Sequence, residues 1–125
     1  MLHSLKKKHL NNMKLKLSRT TQCAKCPWKV STDPYDIPDG YCEIKHANLA
    51  DTIAKEGELN LTSLKAMSCH HSNGKDGMYC VGWLNHQLGV GNNIGLRIKM
   101  LDYENVGKIK TIGKQHQRFE DTLPK

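Results

Sequence analysis

Apolar positions recur at helical spacing in three places along the chain. Leu49, Ala50, Ile53 and Ala54 form a stripe over residues 46–56, and Gly57 stops it. Val81, Leu84 and Leu88 predict a second helix over 79–88, in which Gly82 costs about 1 kcal/mol of propensity and Gly89–Gly91 ends the run. Asn92 or Asn93 can cap a third helix reaching about Leu101, with Ile94, Ile98 and Leu101 expected inward. Residues 59–69 suit a strand ending at Cys69. Residues 1–17 place Leu2, Leu5, His9 and Met13 near one helical face, but the run has no cap and is too short to be stable alone. Met13 offers an alternative start, with residues 1–12 then an upstream extension. Residues 20–44 read as loop, with turns at Pro34, Pro38 and Asp39-Gly40. The tail from Gly107 reads as irregular.

Composition adds a demand on this pattern. The chain has 125 residues, 38% hydrophobic and 6% aromatic, with one Phe and two Trp. So lean an apolar complement calls for a staple, either disulfides or a metal. Five cysteines, an odd number, do not suit a secreted disulfide framework. The opening residues hold no apolar signal core, and no run approaches the ~20 apolar residues of a membrane span. A cytoplasmic protein is therefore expected, with its cysteines on metal or redox chemistry.

The net charge of +7 is uneven. Residues 1–19 carry Lys6, Lys7, Lys8, Lys14, Lys16 and Arg19 and no acid, leaving 13 bases against 12 acids elsewhere. This basic N-terminal arm is the expected contact for nucleic acid or an acidic protein surface, the plainer reading being a solvated tail. A second basic stretch, Lys108, Lys110 and Lys114, could touch phosphate but reads more simply as a solvated loop.

Cys23-Ala-Lys-Cys26 is a C-x2-C knuckle, whose turn can point two thiolates at one tetrahedral ion. Cys69 and Cys80 are ten turn-rich residues apart and can supply the second pair, with Cys80 at a helix start where N–H groups favour a thiolate. Cys42 and His46 make a rival second pair at zinc-finger spacing, and His70 is another rival beside Cys69. Zn2+ suits these ligands better than an iron–sulfur cluster. A redox pair would need a strand before the knuckle and a helix after it, whereas breakers fill residues 31–40.

The segments CAKCPW, AMSCHHS and YCVGWL resemble a family of small proteins of unknown function from bacteriophages and prophages. The shared pattern is a C-x2-C-P-W knuckle, a Cys-His pair and a C-x-G-W helix start, spanning Cys23 to Leu84. The resemblance implies Cys23, Cys26, Cys69 and Cys80 as the metal ligands, with Pro27, Trp28, His70, Gly82 and Trp83 as accompanying positions and Cys42 spare. It supplies a phage context and no activity.

The fold expected is α+β: one small zinc-stapled domain with two or three short helices and a short strand or hairpin, the arm 1–19 preceding a cysteine-rich body 20–125. Trp28 and Trp83 are expected to roof the metal, the sharper alternative being an exposed platform for a base. The function expected is a binding module for nucleic acid or a host nucleoprotein complex, the phage context allowing an inhibitor of host defence such as an anti-CRISPR. A metal-dependent nuclease using His71, the NGKDG loop and Asn85 or His86 is an alternative, without the acidic cluster that Mg2+ needs. A structural phage component is another. No residue is assigned a catalytic role.

Overall fold

The protein was analysed as a computed structural model, which describes residues 15–38, 40–54, 66–68 and 79–125. Among these are three α-helices, labelled here in chain order: α1 (Glu43–Asn48), α2 (Val81–Leu88) and α3 (Ile94–Met100). β structure among the described residues is confined to four isolated bridges. Among the described residues the architecture is a small single domain of three helices with little strand, and the α+β fold with a short strand or hairpin that was expected is not shown by them. The strand expected over 59–69 lies mostly outside the described residues. Its end survives as one antiparallel bridge, Ser68 to Tyr79, beside a Cys80 N–H bond to the Met67 carbonyl at 3.0 Å. No helix among the described residues is long and apolar enough to cross a membrane.

α1 begins earlier than the apolar stripe suggests. Glu43 lies in its first turn and Lys45 in its last, each sign favourable to the helix dipole. The stripe residue Leu49 then falls in a 3-10 turn, Leu49–Thr52, closed by the Thr52 hydroxyl on the Leu49 carbonyl at 2.6 Å.

α2 is the central element. Val81, Gly82, Trp83, Leu84, His86 and Gln87 are all buried, so the helix is covered on nearly every side, as a core helix must be. Its C-terminal Leu88 carbonyl accepts from the Arg97 guanidinium at 2.9 and 3.2 Å.

α3 is capped as expected, the Asn93 side chain accepting from the Leu96 N–H at 3.0 Å. Its inward face is a correction. Ile94, Ile98 and Leu101 are 46%, 47% and 80% exposed, while Leu96 and Met100 are buried at 0% and 2%. Both sets are apolar at i, i+4 spacing, so periodicity alone offered two faces. The choice is made by Asn93, whose buried amide donates to Gln87 Oε1 at 3.0 Å and fixes the rotation of α3 against α2.

The core joins distant stretches: Leu17 near one end, Trp28, Met67, Trp83, Leu84, Leu96, Met100 and Tyr103, and Phe119 near the other. Residues 15–19, read from sequence as the end of the arm, run along the body. Leu15 donates to the Asp102 carbonyl at 2.9 Å, and the Asn105 amide holds both backbone groups of the buried Leu17, at 2.7 and 3.0 Å.

Candidate metal centre

The knuckle closes as a turn, the Cys26 N–H reaching the Cys23 carbonyl at 3.3 Å and the Lys29 N–H reaching the Cys26 carbonyl at 3.1 Å. Cys80 approaches from the start of α2, where it occupies the N-cap position. Cys23, Cys26 and Cys80 are 8%, 0% and 4% exposed, and the Cys26 and Cys80 sulfurs stand 3.7 Å apart. Two of the expected ligands thus meet from opposite ends of a 54-residue separation, with Cys23 against Cys26.

The electrostatics of the pair are unequal. Hydrogen bonds from Cys23 and then Cys80 pull the Cys26 thiol well below its ordinary value against the cost of burial, helped by the Trp28 N–H and the Gln22 side chain. Cys80 moves up, first because its hydrogen bond to Cys26 holds its proton and then through burial. The start of α2 was expected to favour a thiolate at Cys80; its shift runs the other way, beside the lowered Cys26.

Gly82 shows how closely α2 is laid on the knuckle. A Cβ at this position would stand 2.6 Å from the Cys26 sulfur, 2.7 Å from Trp28 Cβ and 2.9 Å from Gln22 Nε2. The glycine of the C-x-G-W element is therefore required by close approach, although it weakens the helix.

Both tryptophans are buried, Trp28 at 1% and Trp83 at 0%. Trp28 stacks on His86 at 4.4 Å between ring centroids, and Trp83 donates to the Thr52 carbonyl at 3.2 Å. They serve as core walls beside the cysteines, and neither is exposed to receive a base.

The rival pair fails on hydrogen-bond capacity. The Thr122 hydroxyl donates to the Phe119 carbonyl at 2.7 Å, so its oxygen accepts the His46 Nε2 proton at 3.1 Å. His46 Nδ1 is then the acceptor for the Tyr41 hydroxyl at 2.7 Å. The ring has no lone pair left for a metal. Cys42 is half-exposed at the start of α1, where the Lys45 and Ile44 N–H groups draw its pKa down.

Other expected residues are placed as follows. Cys69, His70 and His71, and Lys6, Lys7, Lys8 and Lys14 of the arm, lie outside the described residues. Lys16 pairs with Glu104 at 3.0 Å, and Arg19 is half-buried. The nuclease layout gains nothing: Asn85 is exposed, and His86 donates from Nε2 to the Gln117 carbonyl at 2.7 Å while Nδ1 takes the Gln87 amide at 2.9 Å. Among the described residues no group of three or more His, Cys, Asp or Glu side chains is arranged to hold a metal ion.

One participant was missed. Gln22 is 3% exposed and forms a reciprocal amide pair with Gln115 at 2.6 and 2.8 Å, while its Oε1 also accepts the Ile112 N–H at 3.0 Å. It ties the knuckle to the C-terminal loop. A polar residue directly before Cys23 carries no pattern that marks it as buried.

No family model, curated protein or solved structure matches this chain.

Proposed function

We propose that the protein is a small zinc-stapled binding module for nucleic acid, with Cys23, Cys26, Cys69 and Cys80 as the thiolate ligands. The observation that carries the metal is the 3.7 Å sulfur separation. Thiolates ~2.3 Å from a tetrahedral Zn2+ lie ~3.8 Å from one another along the tetrahedron edge. The burial of Cys23, Cys26 and Cys80 in one cluster supports the same reading, since a dication would offset the cost of burying thiolates together. Ser68, the residue before Cys69, is bridged to Tyr79, the residue before Cys80.

Bound zinc would supply folding free energy, of order 10 kcal/mol in small domains, and charge neutralisation. The chain's own residues do the rest: Gly82 lets α2 close on Cys26, and Trp28 and Trp83 exclude water. No catalytic step is assigned. Nucleic acid is favoured as partner by the basic balance of the chain. In the phage setting suggested by the cysteine pattern, the target would be a host nucleoprotein complex and the outcome an inhibition of host defence. The arm bases Lys6, Lys7, Lys8, Lys14, Lys16 and Arg19 are one proposed contact.

Elemental analysis of purified protein is expected to give about one zinc per chain. Cys26→Ser and Cys80→Ser should lose the metal and the fold, whereas Cys42→Ser should keep both. Equal tolerance of all three substitutions would remove the centre. A brown protein absorbing near ~400 nm would replace zinc with an iron–sulfur cluster.

A further inference from the structure

Residues 17–32 and 105–119 lie far apart in sequence and are zipped together in space. Thr21 bridges Lys110 and Lys29 bridges Gln115. The Lys110 N–H reaches the Thr20 carbonyl at 2.7 Å, the Gln22 N–H reaches the Lys110 carbonyl at 2.8 Å, and the Val30 N–H reaches the Lys114 carbonyl at 2.9 Å. The His116 N–H closes the far end on the Trp28 carbonyl at 2.8 Å. The Gln22–Gln115 amide pair locks the middle.

These two stretches contain seven Lys and Arg and no Asp or Glu. Of nineteen bases, removing seven leaves twelve, which matches the twelve acids elsewhere, so the whole net charge of +7 is equal to that of this paired region. Arg118 is engaged by Asp121 at 3.4 Å. Among the described residues no carboxylate pairs with the other six, Arg19, Lys25, Lys29, Lys108, Lys110 and Lys114. Lys25, Lys108, Lys110 and Lys114 are exposed, and Arg19 and Lys29 are half-buried. Gln22 turns inward, so its exposed neighbour Thr21 and the bridged Lys110 belong to the outer side.

We propose that this paired face, built from the knuckle and the C-terminal loop, is the surface that meets the phosphodiester backbone of a nucleic acid. It deepens the nucleic-acid reading above and rests on it. Five of the six cations are Lys, a residue depleted from protein–protein interfaces. Lys acts as a point charge without the directional fork of Arg, which suits phosphate contacts that position a strand without reading sequence. Val30 and Ile112, 45% and 46% exposed, lie in the same two stretches and offer apolar contact to sugar or base edges. The cysteine cluster is what fixes the knuckle half of this face, and Gln22 is what brings the loop half to it.

The test uses the full zinc-loaded chain and two probes, a 20-base-pair duplex and a 20-nucleotide single strand, titrated by fluorescence anisotropy at several salt concentrations. Each neutralised phosphate contributes ~0.9 to the slope of log K against log salt for a duplex and ~0.7 for a single strand. The triple variant Lys108→Ala, Lys110→Ala, Lys114→Ala should lower the duplex slope by between ~2 and ~3 and weaken binding by roughly 10- to 100-fold. A control triple of equal charge change, Lys45→Ala, Lys99→Ala, Lys125→Ala, should leave both within about 2-fold. Deleting residues 1–14 should leave the loss caused by the loop triple in place. The face is overturned, and the nucleic-acid reading kept, if the loop triple binds like wild type or if the control triple weakens binding equally. Both fall if the folded chain binds neither probe at low salt, or binds polyglutamate as tightly as the duplex. Comparing the two slopes assigns the backbone to duplex or single strand, either of which supports the face.

Discussion

Gly82 concentrates the physics of the site in one missing carbon. The backbone of α2 lies so near the knuckle that an alanine methyl would overlap a sulfur, a tryptophan Cβ and a glutamine amide, at 2.6, 2.7 and 2.9 Å. All three atoms belong to buried side chains, the Gln22 amide being held by Gln115, so helix and knuckle must separate. Elsewhere in a helix the same exchange stabilises by ~1 kcal/mol through propensity. Here Gly82→Ala is expected to destabilise by about 1–3 kcal/mol through overpacking, and to reduce retention of zinc during dialysis. Urea unfolding of the two proteins measures the first, and a gain in midpoint would show that α2 is not seated on Cys26. The C-x2-C spacing was readable because it needs only a local turn. Gln22 was not, because its burial is created by Gln115 and Ile112, some ninety residues away.

At the scale of elements, α3 distinguishes two equally apolar faces. Leu96 and Met100 face the core, and Ile94, Ile98 and Leu101 face outward. Leu96→Ala should therefore cost about 2–5 kcal/mol, whereas Ile98→Ala should stay within about 1 kcal/mol. Denaturant midpoints decide it, and the reverse order would restore the inward stripe expected from periodicity. The three helices themselves were legible, since caps, breakers and apolar recurrence are local. The rotation of α3 was not. It follows from the buried contact between the Asn93 and Gln87 amides, and neither amide announces its partner in the sequence. α1 illustrates the same limit: the helix expected over 46–56 shares only 46–48 with it, and the stripe lies outside, Leu49 and Ala50 in the 3-10 turn and Ile53 and Ala54 beyond it.

For the whole molecule, His46 ties three regions together, with Tyr41 before α1 and Thr122 near the C-terminus on its two nitrogens. Burial lowers its pKa below the ordinary 6.5. Between that value and the lower folded one, the unfolded chain takes up a proton that the fold refuses, so stability falls as pH falls through this window and levels off below it. His116 is lowered in the same direction, mainly by burial. Urea midpoints are expected to drop from pH 7.5 toward pH 5, and His46→Gln, which can offer one acceptor and one donor in the same place, should flatten part of that drop. A pH profile identical to wild type would remove His46 from the linkage.

The sequence by itself determined the local features: the knuckle, the asparagine cap of α3, the lean apolar complement that calls for a staple, and the excess of positive charge. Each depends on residues within a turn or two of one another, or on sums over the chain. The tertiary structure decided everything that joins remote segments. It brought Cys26 to Cys80, gave His46 to Tyr41 and Thr122, turned α3 by its amide contact with α2, and drew residues 15–19 onto the body. It also zipped the acid-free stretch around the knuckle to the acid-free stretch around Lys110, which lies some ninety residues away. Local pattern records backbone preference and burial. Which remote surfaces meet is set by packing and by the need to satisfy buried polar groups, and those partners exist only once the chain has folded.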